Sequence, residues 1–467
     1  MNRHVLFGCG LVMLTLSLSA FAAVDGTKSF LLLTRSRVGY TSLGVFTIAY
    51  VLVAAEEFTH LRKSKPVILA AGLILAMIGL VYAHANIDHA AEEAVREFVV
   101  EFGELFMFLL AAMAYVNAMK ERRVFEGLRV WLISRDYSFR RLFVITGLIS
   151  FFLSPVIDNL TIALVISAVV IAVGKDNPKF VGLGCINIVV AANAGGAFSP
   201  FGDITTLMVR QSGTVNFTGF FVLFLPSIVN YAVPAAIMYF AVPNEFPKSE
   251  NETIRVKRGA LPIILLFSLT IATAVSFHNF LHLPPFLVMI TGLGYLNLYG
   301  YYLKRTHLPH PNDSAEHAHV EDVAAFDSLR GIQNAEWDTL LFFFGVIMCV
   351  GGLGFIGYLS EFSRWMYGDL GPTTANILVG LMSAVIDNIP VMVAVLQMNP
   401  IMDETQWLLV TLPAGVGGSL LSIGSAAGIA LMGQARGVYT FFGHLKWTPV
   451  IAVGYFASIL LHLWLAG

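Results

Sequence analysis

The chain has 467 residues, of which 57% are hydrophobic and 12% are charged, and its formal net charge is −2. Soluble domains carry roughly 25% charged residues, so this composition excludes an ordinary soluble protein, and the near-neutral charge excludes an electrostatic nucleic-acid interface. Apolar stretches of about 20 residues, the length at which a helix spans a bilayer, recur along the chain. We therefore predict an all-α polytopic membrane protein surrounded by the lipid bilayer.

Residues 1–23 form an apolar leader at the start of the chain. Arg3 and His4 precede the apolar stretch, which ends in the small residues Ala22 and Ala23. This pattern favours a bacterial signal peptide with an A-x-A-type cleavage site, and the alternative is an uncleaved first helix.

After residue 38, continuous apolar segments predict a series of membrane crossings. Residues 243–259 are predicted to be a cytoplasmic linker, and residues 304–337 a hydrophilic cytoplasmic loop, because both stretches carry Lys and Arg. The predicted crossings are 39–60, 66–83, 98–118, 217–242, 260–277, 285–303, 338–357 and 447–465.

Segment 142–173 is apolar but is interrupted by SPVIDN at 154–159. Each of its two arms reaches roughly 18–21 Å as a helix, against about 30 Å for the hydrocarbon core, so neither arm spans alone. The flanking loops 120–141 and 174–179 carry Lys and Arg, which places both in the cytoplasm. We therefore expect a re-entrant helical hairpin, the alternative being one tilted helix that continues through Pro155.

The second half of the chain repeats these features. Segment 372–399 carries SAVIDN at 383–388, and its acidic flanks predict a hairpin that enters from the outside. Two further segments, 180–208 and 407–433, are interrupted by glycine and polar residues, which predicts broken transmembrane helices.

Residues 39–242 and 260–465 thus share one order of elements: three spans, a hairpin, a broken span and a last span. Because each unit has an odd number of crossings, we predict that the second repeat is inverted relative to the first. Inverted repeats with broken helices are typical of secondary transporters, whose sites lie near the bilayer midplane.

Each hairpin tip places an aspartate and an asparagine at membrane depth: Asp158 with Asn159, and Asp387 with Asn388. A carboxylate there costs several kcal/mol, and irregular backbone is tolerated only when it is buried in protein or lines a cavity. The acids could simply cap the following half-helix, although serine or threonine would do so without a charge. We predict that both aspartates bind Na⁺ and H⁺ and that both asparagines offer amide oxygens.

The two breaks contain further oxygen atoms. Residues 193–206 read NAGGAFSPFGDITT, with Asn193 and Asp203, and residues 415–425 read GVGGSLLSIGS. Unwound carbonyls, hydroxyls and carboxylates are the ligands that hard cations use. The glycines alone could reflect close helix packing, which does not account for Asp203.

The hairpins and broken helices predicted here contain no Lys or Arg, which favours a cation over an anion as the transported ion. Burial raises the pKa of a carboxylic acid, so that near neutral pH it can hold either H⁺ or Na⁺. If it cannot hold both, the two ions are exchanged across the membrane by alternating access. Glu104 and Asp338, on matching spans, are predicted to relay protons; their alternative role is that of polar residues near a helix end.

We expect no cofactor and no catalytic residue, because no nucleophile–base or metal constellation is visible.

The paired V-I-D-N tips, the WDTLLFFF stretch at 337–344 and the Gly- and Ser-rich breaks resemble the NhaD-type Na⁺/H⁺ antiporter family of the ion transporter superfamily. The resemblance covers about residues 39–465 and implies two inverted repeats, usually in a homodimer. It also implies cation-site roles for acidic, amide and hydroxyl side chains of the tips and breaks. These residues are Ser154, Asp158, Asn159, Thr161, Asn193, Asp203, Thr205, Thr206, Ser383, Asp387, Asn388, Ser422 and Ser425.

Relatives in the superfamily that carry dicarboxylates have Ser-Asn-Thr at their tips, and this chain departs from that pattern. Pro390 replaces the hydroxyl found at Thr161, so the two tips are not expected to be equivalent ligands. We therefore expect a multi-pass antiporter of the bacterial inner membrane that extrudes Na⁺ or Li⁺ in exchange for H⁺ and serves pH homeostasis. An anion carrier of the same fold, for dicarboxylate or arsenite, is the alternative; a membrane-embedded enzyme and a passive channel are rivals from other classes.

Overall fold

The structure of the chain is a computed structural model. It describes residues 31, 33–54, 56–59, 61–87, 89–135, 137–247, 256–281, 283–306 and 328–466. The predicted leader, much of the predicted linker and most of the predicted hydrophilic loop lie outside these residues.

Throughout the described ranges the regular secondary structure is helical, which confirms the predicted all-α class. In chain order the helices are α1 (Arg37–Ala54), α2 (Glu56–Thr59), α3 (Ser64–His84), α4 (Ala90–Glu121), α5 (Val124–Ile133), α6 (Phe139–Leu153), α7 (Asn159–Val173), α8 (Pro178–Ala197), α9 (Ile204–Gln211), α10 (Phe224–Ala241), α11 (Ala260–Leu281), α12 (Pro285–Arg305), α13 (Ser328–Gln333), α14 (Trp337–Ile356), α15 (Tyr358–Ser363), α16 (Pro372–Ser383), α17 (Asn388–Met398), α18 (Glu404–Gly417), α19 (Ala426–Gln434), α20 (Phe441–Leu445) and α21 (Thr448–Ala466). A 3₁₀ turn, Gly219–Leu223, precedes α10, and a π-helical turn, Arg364–Asp369, follows α15.

Within the described part of the chain, seven helical segments are long and apolar enough to cross a membrane. They are Ser64–His84, Ala90–Glu121, Pro178–Ala197, Gly219–Ala241, Pro285–Arg305, Trp337–Ile356 and Thr448–Ala466. Shorter apolar helices accompany them, and two of these, α7 and α17, begin directly after the V-I-D sequences of the tips. The seven long helices confirm a multi-pass membrane protein.

The described residues fall into two compact units, and each unit takes segments from both predicted repeats. Of the described residues, the first unit comprises those within 31–103, Trp337–Pro372 and Val393–Ile401, and the second comprises those within 104–306, 328–336, Thr373–Met392 and 402–466. In the first unit, α3 packs against α1 and α14. Gly345 of α14 lies against the backbone of Val67, so the missing side chain lets these two helices approach closely.

The second unit contains both tips and both breaks, and it is built around α8. This helix packs against α6, α7, α10, α18 and α19, and its residues are buried along almost its entire length. The sequence explains this position, because α8 carries small and β-branched residues on every side and no charge after Lys179. Helix α8 is therefore the central helix of the second unit, and the helices on either side of the first tip and of the second break pack around it.

Gly195 gives a test of this packing, because a side chain at this position would collide with the backbone carbonyl of Phe151 in α6. We expect Gly195→Ala to force α6 and α8 apart at a cost of about 1–3 kcal/mol or more. The matched control is Gly182→Ala on the same helix, where the nearest atom, the Val438 oxygen, is 3.5 Å from the added carbon. Thermal unfolding of the purified protein should lower the midpoint for the first variant only, and equal midpoints would contradict this packing.

Candidate cation site

The two hairpin tips are fixed to the two broken helices by equivalent hydrogen bonds. Ser154 Oγ donates to the carbonyl of Ala192 at 2.6 Å, and Ser383 Oγ donates to the carbonyl of Ala414 at 2.7 Å. All four groups are buried. The same contact therefore ties tip to break in both halves of the chain, and it makes the residues that follow the two alanines equivalent.

Asp158 caps the helix that leaves the first tip. Its Oδ1 accepts a hydrogen bond from the backbone N–H of Thr161 at 2.8 Å, which satisfies one of the unpaired donors at the start of α7. The side chain is half-buried. The capping role considered from the sequence is thus present, and the second carboxylate oxygen of Asp158 is left for another partner.

The breaks themselves have matching geometry but different chemistry. The first break, 198–203, lies between α8 and α9, and Asp203 Oδ1 caps α9 by accepting from Thr205 N at 3.3 Å. The second break, 418–425, lies between α18 and α19, and Ser425 Oγ caps α19 by accepting from Gly428 N at 3.2 Å. The equivalent positions therefore hold an acid in one half and a neutral hydroxyl in the other.

The side chain of Asp203 accepts hydrogen bonds from both tips. Its Oδ2 accepts from Asn388 Nδ2 at 2.8 Å and from Asn159 Nδ2 at 3.2 Å, and the Asn159 amide also donates to Asn193 Oδ1 at 3.1 Å. The carboxylate is 4% exposed. The hydrogen bonds from Thr206 Oγ1 to the Asp203 carbonyl and from Asp203 N to Thr206 Oγ1 hold its backbone in a capping box.

Two more aspartates, Asp387 and Asp158, belong to the same unit as Asp203. Asp387, the acid of the second tip, directly precedes Asn388, whose amide donates to Asp203. Asp158 and Asp203 both line a cavity of about 40 Å³, whose other walls are largely apolar and include Phe108 and Phe201. A carboxylate that is buried beside other acids is stabilised by a proton or a metal cation that neutralises its charge.

Several buried polar atoms in the breaks or in the flanking helices have no hydrogen-bond partner within the described structure. They are Thr205 Oγ1, Ser422 Oγ and Asn193 Nδ2, and the side chains that carry them are fully buried. A buried hydroxyl without a partner loses its hydration without compensation. Unpaired hydroxyl oxygens and buried carboxylates are the kinds of ligand that a hard cation such as Na⁺ or Li⁺ uses.

The other predicted residues lie in more ordinary positions. Thr161 is buried, and its backbone N–H contributes the cap at Asp158. Glu104 is a half-buried residue of α4. Asp338 lies in the first unit at the start of α14, where its Oδ1 accepts a hydrogen bond from Ser64 Oγ. That bond at a helix start agrees with the structural role considered for Asp338 in the sequence.

Two buried cationic or titratable side chains near the breaks are missed by reasoning from the sequence. Arg210 follows the predicted broken segment by two positions, lies in α9, is 4% exposed and donates to the Val215 carbonyl at 3.3 Å. His444 in α20 is fully buried: its Nε2 donates to the Ser419 carbonyl at 2.9 Å, and its Nδ1 accepts from Tyr439 OH at 2.8 Å. The histidine thus holds a carbonyl that the second break has freed from its helix.

The fold and site together define a class of protein. Helices interrupted around buried acids, in a bundle of membrane-length helices, are typical of secondary transporters. Residues 50–415 match the family model described as CitMHS, citrate transporter.

Curated relatives match nearly the whole chain. The chain is 55% identical to "Na(+)/H(+) antiporter NhaD" of Alkalimonas amylolytica over 99% of this chain and 97% of that protein, and 56% identical to the Vibrio cholerae protein of the same name over 92% of each. It is 29% identical to "Sodium/proton antiporter 1" of Arabidopsis thaliana, over 90% of this chain and 71% of that protein. The crystal structure of the Alcanivorax borkumensis YdaH transporter superposes with a TM-score of 0.45 at 12% identity, covering 81% of this chain and 89% of that one.

The chain therefore belongs to the citrate transporter family, and within it to the group of NhaD-type Na⁺/H⁺ antiporters. This membership confirms the resemblance seen in the tips and breaks. With bacterial relatives and, in the part of the chain that the structure describes, seven membrane-length helices, the chain is a multi-pass protein of the inner membrane.

The hydrogen bonds of His444 predict a measurable loss of stability. Replacing His444 by Ala leaves the buried Ser419 carbonyl and the Tyr439 hydroxyl without a partner, at a cost of about 1–3 kcal/mol for each group. The control is His84→Ala, because His84 is exposed and bonds only within its own helix. We expect a lower unfolding midpoint for the His444 variant alone; a midpoint like that of the control would show that the network does not hold the break.

Proposed function

We propose that the chain extrudes Na⁺, or Li⁺, in exchange for H⁺ by alternating access, with Asp203 as the central ligand of the cation site. The observation that carries this proposal is the convergence of both tip amides, Asn159 and Asn388, on one oxygen of the buried Asp203 carboxylate. The proposed site also includes the carboxylates of Asp158 and Asp387, either as direct ligands or as neighbouring charges. Its remaining ligands are the hydroxyl of Thr205 and the other hydroxyls of the tips and breaks.

The charge of the site favours a cation over the anion that the family description names. The tips and breaks, residues 154–159, 198–203, 383–388 and 418–425, contain no Lys or Arg. The one buried guanidinium near them, among the described residues, belongs to Arg210 at the far end of α9 and is bonded to a backbone carbonyl. Citrate, a tricarboxylate, or a dicarboxylate would need cationic partners where this site presents carboxylates.

Hydrogen bonding suggests how H⁺ and Na⁺ exclude each other. An ionised Asp203 accepts from two amide N–H groups, whereas a proton on the same oxygen would point at those donors. Protonation therefore favours withdrawal or rotation of Asn388 or Asn159, and the cation-loaded state favours the converged arrangement. Because the two asparagines lie on different tips, the protonation state of one acid is linked to the positions of both tips.

Several features of the architecture belong to this proposal. They are the inverted orientation of the repeats 39–242 and 260–465, the re-entrant course of the hairpins and a homodimeric assembly. The matching tip-to-break hydrogen bonds support a repeated unit, and the homodimer is what the resemblance noted in the sequence implies. Glu104 remains a candidate for proton relay, and Asp338 is a weaker one because it already bonds Ser64.

The exchange can be tested in everted membrane vesicles that contain the protein and carry a preformed pH gradient. We expect Na⁺ and Li⁺ to dissipate the gradient, because each would displace a proton from the acidic site, and succinate and citrate to leave it unchanged. Vesicles without the protein are the control. Dissipation by citrate but not by Na⁺ would instead favour the anion carrier.

The site residues can be tested by neutralising the acids one at a time. Asp203→Asn, Asp158→Asn and Asp387→Asn should each reach the membrane in normal amounts but reduce Na⁺-dependent proton flux by about 10–100-fold or more, since removing even a supporting group around a metal costs that much. The matched control is Asp403→Asn, an exposed aspartate that caps α18 in the same way. Normal flux in all three site variants would refute the assignment.

A further inference from the structure

The position equivalent to Asn193 in the second broken helix is occupied by glycine. Ala192 and Ala414 accept the two equivalent bonds from the tip serines, so Asn193 and Gly415 follow them at matching places in α8 and α18. Asn193 takes part in the amide network of the first tip. Gly415 has no side chain that could act as a ligand, so any role it has must come from the space that the missing side chain leaves.

That space is bordered by two oxygen atoms of the proposed site. A β-carbon placed on Gly415 would lie 3.7 Å from Asp203 Oδ2 and 4.0 Å from Thr205 Oγ1, and its nearest neighbour would be the Ala197 β-carbon at 3.6 Å. Both oxygen-bearing side chains are buried, and Thr205 Oγ1 has no hydrogen-bond partner among the described residues. A carboxylate oxygen and an unsatisfied hydroxyl thus lie within 4.0 Å of the position that a β-carbon would take at Gly415.

Resting on the cation exchange proposed above, we propose that Gly415 determines which cation the site accepts, by leaving room for an ion between Asp203 Oδ2 and Thr205 Oγ1. The carboxylate oxygen is already approached by the amides of Asn159 and Asn388 from the two tips. The β-carbon position of Gly415 lies within 4.0 Å of both Asp203 Oδ2 and Thr205 Oγ1, so an ion held by both oxygens lies next to the glycine. A methyl group at position 415 reduces the space available to an ion between the two oxygens. We expect this to weaken the binding of Li⁺ less than that of Na⁺, because Li⁺ is smaller.

The substitution Gly415→Ala tests the proposal without disturbing the helix packing, because all three distances are ordinary van der Waals contacts. In everted vesicles we expect the half-saturating Na⁺ concentration to rise about tenfold, the lower end of what one methylene costs in a fitted pocket. The half-saturating Li⁺ concentration should rise by no more than about twofold, so the ratio of the two constants changes.

The matched control is Gly433→Ala, a glycine of the neighbouring α19 with no atom within 4 Å of the added carbon. Both constants should stay at their wild-type values in this variant. A second variant, Gly415→Ser, brings a larger side chain but also an oxygen. Its Na⁺ constant should rise less than that of Gly415→Ala, because the hydroxyl can act as a ligand.

Three results would overturn the proposal: equal shifts for Na⁺ and Li⁺ in Gly415→Ala, no shift for either ion, or a larger Na⁺ shift for Ser than for Ala. Loss of Gly415→Ala from the membrane, with Gly433→Ala present, would also overturn it, because the space would then not be open. Failure of the underlying function is distinguishable, since the wild-type vesicles would then show no Na⁺-dependent proton movement.

Discussion

A single buried carboxylate receives hydrogen bonds from both hairpin tips, and the rest of the site depends on that interaction. Asp203 starts the second half of one broken helix, so its position is fixed by the break and by the capping box with Thr206. Its Oδ2 then connects Asn159 of the first tip with Asn388 of the second. Any change in the charge of this acid therefore alters the bonds that hold two otherwise separate elements.

The two halves of the site have similar backbone hydrogen bonds but different side-chain ligands. The tip serines make the same bond in both halves, and both breaks end in a side chain that caps the next helix. One cap is Asp203 and the other is Ser425, so only one break supplies a carboxylate. The matching hydrogen bonds thus give the two breaks a similar backbone frame, and the difference between Asp203 and Ser425 gives only one of them an acidic side chain.

Much of this arrangement could be predicted from local sequence signals. The V-I-D-N tips and the glycine clusters mark where helices are interrupted, because proline, glycine and buried acids are costly inside a continuous membrane helix. The sequence could not show that Asp203, rather than Asp158 or Asp387, joins the tips, since that requires the convergence of α7, α9 and α17. For the same reason it gave no sign of Gly415, or of His444, whose role depends on a carbonyl 25 residues away.

The central claim is that Na⁺ and H⁺ compete for a site whose principal ligand is Asp203. The most direct measurement is proton release from the purified, weakly buffered protein when Na⁺ is added, with choline as the control ion. The account predicts that the wild-type protein releases protons as Na⁺ binds and that Asp203→Asn releases almost none. Equal release from the wild-type protein and the Asp203 variant would contradict it.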